Sequence, residues 1–181
     1  MRLFVGIPLA AAVLEELTAA VARLRSGGDG LRWTAPASWH ITLQFLGETD
    51  PERCDSLIAA LRSVHRPPVP VALDKLGCFE RPGVLFAAVQ PTPLLLSLQQ
   101  CVESATAVCG FLPDSRPYQP HITLARSREH RAGLKQLETK LQAQPRFSGF
   151  VASEFLLYES FLGPGGARYE ARRRFSLDAP G

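Results

Sequence analysis

At 181 residues and 46% hydrophobic content, the chain is a little longer than a usual single domain and can bury a sizeable core. Its 20 basic and 17 acidic residues leave a formal charge of +3, with an isoelectric point near 8.8. That balance excludes the broad basic surface of a general nucleic-acid coating protein but allows a local anion site.

The chain opens with "RLFVGI", a short buried strand, followed by Pro8 where a helix can start and "LAAAVLEELTAAVARLR", whose Leu14, Leu17, Val21 and Leu24 keep helical spacing. An apolar start with one Arg resembles a secretory signal, but Pro8 breaks it and it runs straight into this helix pattern, so it is read as part of the fold. "SGGDG" is a glycine-rich turn. "LRWTA" and "SWHITLQFLG" follow as strands rich in β-branched and aromatic residues. Asp50 then caps a second helix with Pro51 at its first position and Leu57, Ile58 and Leu61 on one face.

"PPVPVALDKLGCF" and "GVLFAAVQP" read as two strands divided by a turn at Pro82 and Gly83. Leu95, Leu98, Val102 and Ala105 mark a third helix, "RPYQPHITLAR" returns as a strand, and "REHRAGLKQLETKLQ" predicts a fourth helix with Leu134, Leu137 and Leu141 inward. "FSGFVASEFLLYESFL" and "ARYEARRRFSL" close the chain as two long strands around "GPGG". In the last strand Tyr169, Ala171, Arg173 and Phe175 take one parity, and Glu170, Arg172 and Arg174 the wet face. No apolar run approaches the roughly 20 residues of a membrane span. Cys54, Cys78, Cys101 and Cys109 form no CxxC pair and read as reduced, mostly buried thiols of a cytoplasmic protein.

The tetrapeptide His-Ile-Thr-Leu occurs twice, beginning at His40 and at His121, and each copy is followed by a strand, a polar loop and a leucine-bearing helix. The spacing is close to half the chain. It predicts one unit of residues 1–181 built from two lobes related by an approximate two-fold axis. Alternation in a strand puts His40 and Thr42 on one face, with Ile41 and Leu43 on the other, and likewise His121 and Thr123 against Ile122 and Leu124. If the lobes oppose each other, two imidazoles and two hydroxyls converge on one cleft.

Such a set suits in-line attack on phosphorus without a metal. One His acts as base at the incoming oxygen and one as acid at the leaving oxygen, because a reference pKa near 6.5 allows either form at neutral pH. The Thr hydroxyls can donate to phosphate oxygens. Arg126, at the end of the second motif strand, can grip the phosphate bidentately, but by parity it faces away from His121, so this role requires a bulge or bend there. A single His-x-Thr is common as a satisfied strand histidine; the second copy in matching surroundings makes the functional reading the better one. The threonines also serve as simple β-formers. A metal site wants three or four ligands, and neither strand offers Asp, Glu or Cys on the His face, so no metal is expected. His65 and His130 lack such context and read as solvated.

Among the aromatics, Trp33 and Phe79 are weak candidates for stacking a base, with Trp39 and Phe86 nearby and core packing the commoner fate. Arg172 and Arg174 read as a solvated sheet surface that also suits contact with an RNA backbone.

With both motifs, "RLFVGI", "LRWT" and the closing "LLYESFLGPGGARYE" taken together, the chain resembles the two-histidine phosphoesterase superfamily, and within it the RNA 2',3'-cyclic phosphodiesterases, also called 2'-5' RNA ligase-like proteins. The resemblance spans nearly the whole chain. It implies a bilobal α+β fold, each lobe an antiparallel sheet with outer helices, with the active-site cleft between them. It also implies hydrolysis of a terminal 2',3'-cyclic phosphate to a 2'-phosphate, with His40 as general acid, His121 as base, and Thr42, Thr123 and Arg126 on the phosphate. The substrates would be RNA ends or nucleoside 2',3'-cyclic phosphates, with no cofactor, no membrane, no obligate protein partner and a monomeric state. Ligation, the reverse reaction, uses the same residues. A non-catalytic module binding nucleotides or RNA ends is the third reading, which two titrating histidines disfavour.

Overall fold

Leu3, Val5 and Ile7 give β1 (Arg2–Pro8) a fully buried face, and the strand is central to its sheet. The computed structural model describes residues 1–27, 30–127, 141, 144–163 and 166–178. β1 is followed by α1 (Ala11–Leu24), β2 (Leu31–Trp33), a 3-10 turn (Pro36–Ser38) and β3 (His40–Glu48). Next come α2 (Pro51–Leu61), β4 (Val69–Val71), β5 (Leu73–Phe79), β6 (Val84–Val89), α3 (Pro93–Ala107), β7 (His121–Ser127), β8 (Phe150–Ala152), β9 (Glu154–Gly163) and β10 (Gly166–Ser176). The strands build one four-stranded sheet in the order β10-β9-β1-β3, a second in the order β2-β7-β6-β5, and a small β4-β8 pair. The paired strands run antiparallel, as an α+β fold of two lobes requires.

The helices form where local chemistry asks for them. In α1, Val13, Leu17, Ala20, Val21 and Leu24 recur at three- and four-residue intervals and are buried, each large one contributing about 1.5–3 kcal/mol. Asp50 caps α2 by accepting from the Arg53 amide at 2.7 Å, and Thr92 caps α3 through the Leu95 amide at 3.3 Å. Both helices have proline at their first position, where a missing N–H costs nothing.

The repeat is visible in the pairing. Strand, helix and motif strand recur as β1-α1-β3 and β6-α3-β7, with the same register. Pro8 faces His40, Ile7 faces Ile41 and Gly6 faces Thr42 in one half; Ala88 faces His121, Ala87 faces Ile122 and Phe86 faces Thr123 in the other. Both then skip one residue, so that Val5 pairs with Gln44 and Leu85 with Ala125. A β-bulge therefore follows Thr42 and Thr123 at the same motif position in each half.

Several boundaries differ from the sequence expectation. Pro8 ends β1 rather than starting the helix, which begins at Ala11. Residues 67–79 are not one strand: β4 and β5 join different sheets around Ala72. Residues 147–162 likewise divide into β8 and β9, and β3 starts at His40 because the 3-10 turn holds the chain up to Trp39. The parity expected of the last strand fails past Ala171, where a bulge at Arg172 changes the register and leaves Arg173 exposed. The expected fourth helix lies outside the described residues apart from the helical Leu141. No disulfide links the described residues; Cys54 is buried and the other cysteines are half-buried. Among the described residues no helix is long and apolar enough to cross a membrane.

Candidate active site

His40 and His121 open their motif strands, and both line a single cavity of about 780 Å³ between the two large sheets, together with Thr42, Thr123 and Arg126. Each ring is held in the same way. His40 Nδ1 lies 2.8 Å from the Ser38 carbonyl, and His121 Nδ1 lies 2.7 Å from the Gln119 carbonyl, in both cases two residues upstream. A carbonyl only accepts, so Nδ1 carries the proton and Nε2 of the neutral ring presents a lone pair. The Nε2 of His40 sits 3.1 Å from the Thr42 hydroxyl, so that hydroxyl donates to it.

Aromatic rings enclose both imidazoles. Phe4 lies against His40 with centroids 4.6 Å apart, and Tyr169 meets the same ring edge-on at 5.1 Å. Phe79 and Phe86 meet His121 edge-on at 5.3 Å and 5.6 Å. Gly6 makes room on the first side, because a Cβ there would sit 2.9 Å from the Ile41 carbonyl oxygen and 3.3 Å from the His40 ring. The environment lowers both basicities. Burial pushes His40 down to about 4, opposed by the bond to Ser38 and reinforced by the charge of His121. Burial also lowers His121, opposed by the bond to Gln119 and reinforced by the positive charge of Arg126. The effect of His121 on His40 agrees with two rings facing one space.

The bulges supply what alternation lacks. Leu124 and Ala125 are both buried, after which Arg126 turns back to the cleft face on which His121 and Thr123 lie. At the corresponding place in β3, Leu43 and Gln44 are both buried, and Phe45 emerges into the cavity with 69% of its surface exposed. Two side chains absent from the sequence prediction brace these bulged strands. The Thr34 hydroxyl donates to the carbonyls of Thr123 and Leu124 at 2.9 Å and 2.8 Å, and accepts from Trp39 Nε1 at 2.8 Å. The Tyr118 hydroxyl donates to the Thr42 carbonyl at 2.9 Å. Each half thus pins the motif strand of the other from the segment just before its own motif. A polar Thr or Tyr three to six residues ahead of a motif gives no such signal in the sequence.

Of the aromatic candidates, Phe79 lines the cavity and stacks on Phe86 at 4.1 Å. Trp33 is not among the cavity-lining residues; it is half-buried against the core from β2, opposite Ala125. His65 is exposed, and His130 lies outside the described residues. Arg172 and Arg174 form ion pairs with Glu159 at 3.5 Å and Glu154 at 2.6 Å on the outer strand. Among the described residues no three His, Cys, Asp or Glu side chains converge as metal ligands would.

This arrangement agrees with the likeness to known proteins. The family model of the 2'-5' RNA ligase superfamily matches residues 13–160. The chain belongs to the 2'-5' RNA ligase superfamily. A member from Escherichia coli named RNA 2',3'-cyclic phosphodiesterase is 30% identical over 178 residues, covering 97% of this chain and 96% of that one. One of the same name from Archaeoglobus fulgidus is 28% identical, with 97% and 99% covered. Among solved structures of the superfamily, E. coli LigT complexed with 3'-AMP superimposes with a TM-score of 0.84 at 30% identity, over 97% of both chains.

Proposed function

We propose that the protein hydrolyses terminal 2',3'-cyclic phosphates of RNA or nucleosides to 2'-phosphates, by general acid-base catalysis between its two motif histidines and without a metal. The observation that carries this reading is the pair of identically tethered imidazoles lining one cavity from opposite halves of the molecule. Relatives named for this reaction, matched over nearly their full length, support the substrate class.

In this reading His121 Nε2 takes a proton from water as the water oxygen attacks phosphorus. The bond from phosphorus to the 3' oxygen breaks on the opposite side, and His40 Nε2–H protonates that oxygen. The product is a 2'-phosphate with a free 3'-hydroxyl. The assignment of His40 as acid and His121 as base follows the family resemblance; burial, and after it the positive charge of Arg126, lowers the basicity of His121, and burial lowers that of His40 as well. Arg126, Thr42 and Thr123 hold the non-bridging oxygens, which gain charge in the transition state. Metal-free chemistry is consistent with the donor set at the cavity, in which no three His, Cys, Asp or Glu side chains converge among the described residues.

His40→Ala and His121→Ala should each lower kcat on a nucleoside 2',3'-cyclic phosphate by about 10²–10⁴-fold while the protein stays folded by circular dichroism. Near-normal turnover by either folded variant rejects the mechanism. Phosphorus NMR of the product tells which ester bond opened, and a reaction with a 5'-hydroxyl oligonucleotide in place of water detects ligation.

A further inference from the structure

The two halves agree in register and bulge, yet the residue each bulge delivers to the cleft differs: Arg126 in one and Phe45 in the other. This breaks the two-fold equivalence of the cavity. One end presents a guanidinium that no described carboxylate neutralises, and the other an exposed phenyl ring. An anion belongs at the first and a planar base at the second.

Beyond Phe45 the cavity wall is α3, and its polar residues there are left unused. Gln99 is only 6% exposed, lines the cavity, and makes no side-chain hydrogen bond among the described residues. Its amide oxygen and nitrogen are not sealed from solvent, so both stay open to a partner in the cavity. Glu103 stands one turn further along α3 on the same cavity wall, without an ion pair or side-chain hydrogen bond among the described residues. It is near enough to Tyr118 for its charge to raise that phenol further, after burial. Tyr118 in turn bonds the Thr42 carbonyl, so the Glu103 wall and the candidate phosphate site meet at one strand.

We propose that this end of the cavity is a nucleobase subsite that selects guanine, with Phe45 stacking on the base and Glu103 and Gln99 reading its pairing edge. This rests on the function proposed above. A carboxylate only accepts hydrogen bonds. Guanine alone offers two adjacent donors, N1–H and the 2-amino group, to fill both carboxylate oxygens, and its O6 accepts from the Gln99 amide. Adenine and cytosine offer the carboxylate one exocyclic amino group. Uracil sets a single N–H between two carbonyls, which a carboxylate repels.

The test measures kcat/KM for the four nucleoside 2',3'-cyclic phosphates and for the inosine analogue, which lacks the 2-amino group. Guanosine should exceed uridine and adenosine by about ten- to a hundredfold, and inosine should fall between. Glu103→Gln should bring the guanosine-to-uridine ratio close to one, and Phe45→Ala should raise KM for all bases. A parallel binding titration with the product nucleoside 2'-phosphates reads base preference independently of turnover. Equal kcat/KM across bases, preference for another base, or a ratio that survives Glu103→Gln overturns the subsite while leaving the hydrolase reading intact. Guanosine-selective binding with no turnover of any cyclic phosphate rejects the hydrolase reading and retains the subsite.

Discussion

A His whose basicity is pushed to about 4 is a strong proton donor once protonated, but it is neutral in almost all free molecules at neutral pH. His121 is lowered as well, so the free protein carries few protons on either ring near pH 7. In the proposed mechanism the reactive form of the free enzyme has His40 protonated and His121 neutral. That form is most populated between the two values, both lowered, and becomes rarer as pH rises above the higher or falls below the lower. The expected kcat/KM profile is therefore a bell with its maximum on the acid side of the reference value near 6.5. A bound phosphate anion stabilises imidazolium and raises both values, so the kcat profile should lie at higher pH than that of kcat/KM. Rate measurements from about pH 4 to 9 check both points; a kcat/KM maximum well above pH 7, or coincident profiles, contradicts them.

At the scale of elements, the proposed function draws on two bulges and on the hydroxyls that brace them. Thr34→Val keeps the shape of the side chain but removes its donation to the carbonyls of Thr123 and Leu124 and its acceptance from Trp39. It should cost about 1–3 kcal/mol in denaturant unfolding, and up to about 10²-fold in kcat/KM as Arg126 loses its aim. Thr34→Ser, which restores the hydroxyl, should recover both; full activity in Thr34→Val would show that the brace does not matter. Much of the architecture was legible because it is local: the Asp50 cap, the helix with Leu57 and Leu61 buried, and the shared face of His40 and Thr42 follow from periods of 3.6 and 2. The delivery of Arg126 was legible only as a condition, since one extra residue in a strand leaves no compositional mark. Phe45, Thr34, Tyr118 and Gln99 were missed because their roles exist only where distant segments meet. Laying "HITLQF" over "HITLAR" would have matched Phe45 with Arg126, the one signal available. Trp33, a weak stacking candidate because it lies near the motif in sequence, is carried by β2 away from the cleft lining.

At the scale of the molecule, a net charge of +3 gives weak long-range attraction, so recognition of an RNA end must come from the few cations at the cleft. Arg116 is already committed, gripping Asp114 with its Nε at 3.0 Å and its Nη2 at 2.6 Å. Arg81 and Arg126 both line this cavity and are both exposed, and Arg81 has no carboxylate partner among the described residues. A mononucleotide brings only its cyclic phosphate, whereas an oligonucleotide brings a second phosphate one residue upstream that needs a partner at the rim. Each phosphate neutralised by an Arg contributes about 0.7 to the steepness of the logarithmic salt dependence for a single strand. Arg81→Ala should thus reduce kcat/KM more for an oligonucleotide ending in a cyclic phosphate than for the mononucleotide, and flatten the oligonucleotide's salt dependence by about one phosphate contact. Assays of both substrates between about 50 and 200 mM salt decide it. Equal losses on both, with unchanged salt slopes, would mean that Arg81 serves the cyclic phosphate or the fold and that the upstream chain leaves the cleft by another side.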